Sequence, residues 1–176
     1  MTLNTHAQWE ATQPHLDAFH HKYIVLHHTA GPDGQTVIDI DNEHKANGWA
    51  GVGYHRLVYT NGEIHEGRPD DVMGAQAQGL NAWSIGVCAI GDFSRVSPSL
   101  VQWKALVHTL AVECARWGIP VERIIGHRDV AGMVNNPSVA TACPGDALYA
   151  RMSELRAAVR AEMKGCLLYT SDAADE

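Results

Sequence analysis

The run Tyr23–Leu26, YIVL, ends on two adjacent histidines, His27 and His28, and then breaks into the turn chemistry TAGPDG. A short apolar run bounded in this way fits a buried strand. Ser84 to Ile90 (SIGVCAI) reads as another, and Ile124 and Ile125 make a short third strand leading into GHRD. The segment VGYHRLVY, followed by Asn61-Gly62 and then EIHEG, predicts a β-hairpin, because Asn-Gly tolerates the positive φ values of a type I′ turn.

Helical signals alternate with these strands. Residues 35–46 predict a helix entered through Asp33 and Gly34 and ended at Asn47-Gly48. The clearest helix starts at Ser97 or Ser99 and closes at Gly118 and Pro120. Its positions Leu100, Trp103, Leu106, Val107, Leu110, Cys114 and Trp117 share one face at a 3.6-residue period. Val130 to Gly145 reads as a long loop. A last helix from about Asp146 carries the stripe Leu148, Met152, Leu155 and Val159. Residues 1–21 read as a polar arm with a short helix around Gln8–Phe19. Trp83, Trp103 and Trp117 are expected in the core. The mixture, without a strict βαβ repeat, indicates an α/β fold.

With 176 residues, 45% of them hydrophobic, the chain suffices for one domain with a sizeable core. The final twelve residues, GCLLYTSDAADE, leave the helical stripe and resemble translated adaptor sequence, so the domain is expected to span 1–164, with a non-native or disordered tail over 165–176. A net charge of −7 and the lack of a basic stripe argue against a nucleic-acid partner. No run approaches the roughly 20 apolar residues that span a bilayer, so no membrane partner is expected. The segment MTLNTHAQWEATQPH has no basic-then-apolar signal pattern, which predicts synthesis in the cytoplasm. Four scattered cysteines predict reduced thiols rather than a disulfide framework.

Histidine carries the functional signal. Eleven are present, several at the ends of apolar runs. His27 or His28, together with His127 of IIGHRDV and Cys143 of TACPG, would give two imidazoles and a thiolate, a zinc set with a fourth position open for water. Adjacent strand residues point to opposite faces, so one histidine of the pair is expected to serve a given ion. The uninterrupted apolar run before them does not say which.

Five segments in order, YIVLHHTAG, GWAGVGYHRLVYTNGEIHEGRP, GAQAQGLNAWSIGVCAIGDF, IIGHRDV and ATACPGD, resemble the zinc-dependent N-acetylmuramoyl-L-alanine amidases of the peptidoglycan-recognition-protein and phage lysozyme-amidase family. The resemblance covers roughly Tyr23 to Asp146. It implies a single α/β domain with a central mixed sheet flanked by about three helices. It further implies zinc held by His27, His127 and Cys143, with Tyr54 as a catalytic residue beside the metal and Thr141 facing the substrate carbonyl. The implied reaction is hydrolysis of the amide between N-acetylmuramic acid and the L-alanine of the stem peptide. Peptidoglycan is then the expected partner of a monomeric enzyme acting on the cell wall after release.

Two departures stand out. Cys88 occupies the strand position where cytoplasmic muropeptide-recycling relatives carry a glutamate base, which favours a phage-type endolysin or bacterial wall amidase. Gln76 replaces a histidine often found in the family and is expected to change one polar wall of the groove. Asp129 is expected to orient His127 or its loop, and Arg68 and Asn81 to organise loops. Trp49 reads equally as groove lining or packing. A non-catalytic peptidoglycan-binding module of the same fold and a cytoplasmic amidase that recycles soluble muropeptides are the rival readings.

Overall fold

The computed structural model describes residues 21–172, with side chains through Gly165. The helix expected around Gln8–Phe19 and the side chains of the tail lie outside the described residues. Strands β1 (Tyr23–His28), β2 (Arg56–Val58), β3 (Ile64–Glu66), β4 (Ser84–Ala89) and β5 (Ile124–Gly126) form one sheet in the order β3-β2-β4-β1-β5. Strands β2, β4, β1 and β5 run parallel to one another, and the edge strand β3 is antiparallel to β2, so the sheet is mixed as expected. The helices are α1 (Val37–Ala46), α2 (Leu100–Trp117), α3 (Val130–Met133), α4 (Asp146–Tyr149) and α5 (Met152–Asp172).

Strand alternation divides the sheet's two faces into different jobs. Ile24, Leu26, Ile85 and Val87 point to one face, where Leu106 and Leu110 of α2 and Leu155 and Val159 of α5 complete the main core. Val25 and His27 point to the other face, covered by loops and by α1. The α1 helix begins at Thr36 rather than at Asp33-Gly34. Thr36 accepts from the Asp39 N–H while the Asp39 carboxylate accepts from the Thr36 N–H, a reciprocal cap that satisfies two otherwise orphaned donors. Ser99 caps α2 and Gly118, at φ +63°, ends it.

Several expectations change. Leu100 is 68% exposed. The inward position of that first turn belongs to Gln102, whose amide donates to the Val58 and Ile90 carbonyls at the strand ends. Trp83 is 40% exposed, because it closes a 3₁₀ turn ahead of β4, and the Lys22 ammonium lies 4.4 Å from its ring. The hairpin forms without a type I′ turn. Asn61 keeps a negative φ and only Gly62 is left-handed, at +88°, while Gly62 N–H donates to Tyr59 O and Tyr59 N–H to Glu63 O. That pattern is a type I turn followed by a glycine bulge. The Val130–Gly145 segment is not all loop, since it contains α3 and a 3₁₀ turn at Pro137–Val139. The single last helix expected from about Asp146 is instead two, α4 and α5, parted by a turn at Ala150–Arg151 where the Arg151 N–H reaches back to Leu148 O, although the stripe Leu148, Met152, Leu155 and Val159 stays in the core. Among the described residues, Cys88, Cys114 and Cys143 are free thiols and no helix is long and apolar enough to cross a membrane.

Candidate functional site

The site grows from the sheet face opposite α2 and α5. His27 is the last residue of β1 on that face, 1% exposed, and pairs in register with Cys88 of β4. His127 follows β5, the neighbour of β1 on its other side. The segment carrying Cys143 is brought alongside by Arg128, whose backbone N–H donates to Cys143 O at 2.9 Å. The Arg128 guanidinium also donates to Ala142 O and to Asp146 Oδ1. One ligand-capable atom from each of His27, His127 and Cys143 comes within 4.8 Å of the others, and this is the metal-capable cluster found among the described residues.

The donors suit a zinc-sized ion. His27 Nδ1 and Cys143 Sγ are 3.6 Å apart. A nitrogen at about 2.0 Å and a sulfur at about 2.3 Å from one tetrahedral centre would be about 3.5 Å apart. Burial, reinforced by the neighbouring His127, holds the His27 pKa well below its ordinary value, and burial pushes His127 down to about 4. Both imidazoles are therefore neutral at pH 7, the form that ligates metal. Burial pushes the Cys143 thiol up to about 11, so binding a cation there would release a proton.

His28 does different work. Its Nδ1 accepts the Phe93 N–H at 3.1 Å on the other side of the strand. His44 and His55 follow the same pattern, accepting the N–H groups of Gly53 and Gly86 on Nδ1. His27 instead turns Nδ1 toward Cys143 and places Nε2 2.5 Å from Gln76 Oε1. Gln76, expected in a groove wall, is thus also a direct partner of His27. No periodicity in the sequence marks that contact, which joins a loop to a strand 49 residues away.

Tyr54 packs its ring 5.0 Å from His27 and 5.4 Å from His44. Its loop is held from both sides. Asp41 accepts the Val52 N–H, His44 accepts the Gly53 N–H, and the buried Arg68 guanidinium donates to Gly51, Val52 and Met73 carbonyls. Burial, with the Cys88 and Cys143 thiols nearby, raises the Tyr54 pKa well above 10, so the phenol stays protonated. Burial likewise holds Cys88 as a neutral thiol. Thr141 Oγ1 accepts the Cys143 N–H at 3.1 Å and keeps its own proton to donate. Asp129 acts on the loop: it accepts from Gly126 N–H and from the Tyr149 hydroxyl. Asn81 accepts from both Gln76 and Ala77 N–H groups.

Beside the cluster runs a cleft of about 410 Å³ whose lining includes Trp49, Gln78, Asn81, His127, Ser138 and Val139. Trp49 both lines this cleft and packs 4.6 Å from the His44 ring. A larger cavity of about 610 Å³ lies between α2 and α5, but its lining is mostly apolar and it contains no comparable donor cluster. The cleft is the one that reaches the chemistry.

The family model described as N-acetylmuramoyl-L-alanine amidase matches residues 17–146. The chain belongs to this family. Among curated relatives, the peptidoglycan-recognition protein SC2 of Drosophila simulans is 31% identical over 157 residues, covering 82% of this chain and 81% of the relative. The solved endolysin amidase LysCS of Clostridium intestinale superposes with a TM-score of 0.72 at 29% identity, over 84% of this chain and 88% of the other. Peptidoglycan recognition protein-LE, solved in complex with tracheal cytotoxin, a monomeric diaminopimelic acid-type peptidoglycan, gives 0.69 at 27% identity, over 81% and 84%. The amidase family thus spans recognition proteins and lytic enzymes.

Proposed function

We propose that the protein is a zinc hydrolase that cleaves the amide between N-acetylmuramic acid and L-alanine in peptidoglycan, in the manner of a phage endolysin or bacterial wall amidase. The observation that carries this reading is the convergence of His27, His127 and Cys143 into one cluster of the right size, opening beside the Trp49–Asn81 cleft. These three residues would hold the metal, and residues 1–164 would form the catalytic domain. A binding module has no need of a complete ligand set.

Zinc, when bound, supplies Lewis acidity that polarises a scissile carbonyl and acidifies water. The protein's own groups do the rest. Tyr54, neutral at any working pH, donates a hydrogen bond toward the oxygen on which negative charge develops, and a donor so placed contributes about 3 kcal/mol. Thr141, anchored by the Cys143 N–H, offers a second hydroxyl proton. Cys88 beside His27 supplies no carboxylate base, which separates this chain from muropeptide-recycling enzymes and supports action on intact wall. The endolysin likeness of the LysCS fold supports the same assignment.

The test compares wild type with Cys143→Ser on purified sacculi and on soluble anhydro-muropeptides, with zinc content measured in parallel. The reading expects zinc and sacculus clearing in the wild type, and loss of both in the variant. Equal turnover by the variant sinks the metal mechanism. Binding without turnover in the wild type makes the protein a recognition module, and turnover of soluble fragments alone makes it a recycling amidase.

A further inference from the structure

The direction of a buried hydrogen-bond chain can be read from an end that only accepts. The Leu80 carbonyl accepts from the Ser84 hydroxyl at 2.8 Å, which uses that hydroxyl's one proton. Ser84 Oγ must then accept at its other contact, from Gln76 Nε2 at 2.8 Å. This fixes which end of the Gln76 amide faces which neighbour. Its Oε1 is left against His27 Nε2 at 2.5 Å, and an amide oxygen cannot donate, so Nε2 carries the imidazole proton. A neutral imidazole has only one N–H. Nδ1 therefore keeps its lone pair, and Nδ1 is the atom facing Cys143 Sγ.

The relay is built rigidly. Ser84 is fully buried, His27 is 1% and Gln76 7% exposed. Asn81 Oδ1 clamps the backbone N–H groups of Gln76 and Ala77 at 2.9 and 2.7 Å. Gly86 supplies the space: a Cβ there would stand 2.7 Å from Gln76 Cγ and 2.9 Å from Cδ.

We propose that Gln76 is a positioning residue that, through the Leu80–Ser84–Gln76 chain, locks His27 as the Nε2–H tautomer and aims Nδ1 at the space shared with His127 and Cys143 before any ion arrives. Its consequence for metal affinity rests on the zinc reading above. Its consequence for the tautomer does not. An outer partner of this kind typically changes metal affinity 10–100-fold.

The test has two readouts on the full chain. In metal-free protein, long-range ¹H–¹⁵N correlation of His27 reports which nitrogen carries the proton, and chelator competition with zinc alone gives Kd. Wild type is expected to show a single Nε2–H tautomer, and Gln76→Leu a mixture, with zinc binding roughly 10–100-fold weaker. Gln76→Glu, which restores an acceptor, is expected to return Kd to within about tenfold of wild type. Ser84→Ala leaves His27 and Gln76 in place, guards against misfolding of the first variant, and is expected to show a smaller loss in the same direction. An Nδ1–H tautomer in the wild type, or unchanged tautomer and Kd in Gln76→Leu, overturns the inference while leaving the zinc reading intact. A wild type that binds no zinc overturns the zinc reading and the affinity effect with it.

Discussion

His27 Nδ1 and Cys143 Sγ stand 3.6 Å apart although 116 residues separate them in the chain. With His28 turned to the Phe93 N–H, the two adjacent histidines should respond differently to removal. His27→Ala is expected to lose bound metal and activity by more than the roughly 10–100-fold typical of an outer partner. His28→Ala should keep its metal and lose stability instead. Metal analysis after dialysis, beside sacculus clearing, checks both, and stripping the wild type with a chelator should reproduce the His27→Ala loss until zinc is restored.

Tyr54 lies against His27 and stays protonated, so its contribution is a hydrogen bond rather than a charge. Tyr54→Phe removes only the hydroxyl. Turnover is expected to fall roughly 100-fold, with zinc content and melting temperature close to wild type. A loss of metal in this variant would give the phenol a structural role.

Much of the fold could be read from local chemistry. The strand runs at Tyr23 and Ser84, the Ser99 and Gly118 caps and the stripe of the last helix all rest on neighbours within a few residues. Leu100 and Trp83 misled because their burial depends on what lies beyond the element, and at Leu100 that inward place is filled by Gln102. Asn61-Gly62 announced a turn correctly but not its type, which the bulge at Gly62 set. The site was harder still. An apolar run on both faces gave no way to rank His27 over His28, so resemblance supplied the choice, and Gln76 looked like a groove wall because its partner lies on a distant strand.

Arg68 joins stability to the site. Its buried guanidinium donates to carbonyls of Gly51, Val52 and Met73, the loops that hold Tyr54 over His27. Arg68→Leu would leave buried acceptors without donors, at a cost of roughly 2–4 kcal/mol. Urea unfolding should show this as a lower midpoint at unchanged slope, accompanied by reduced turnover.

His55 makes stability depend on pH. Its Nδ1 accepts the Gly86 N–H and its Nε2 faces the Val72 carbonyl, an arrangement only the neutral ring satisfies, and burial lowers its pKa to about 3. The unfolded chain, with an ordinary histidine pKa near 6.5, takes up the proton first as pH falls. This contribution is complete above about pH 6.5 and is lost progressively toward pH 3, by about 2 kcal/mol between pH 7 and pH 5. Urea titrations at those two pH values measure the loss. The His55 ring resonance should show no titration across the same range in the folded protein.

The central claim concerns which bond is broken, and end-group analysis of purified peptidoglycan after digestion tests it most directly. An amidase must release new N-terminal alanine without new reducing sugar. New reducing ends, or no new alanine amino groups from a zinc-loaded protein, would contradict the account.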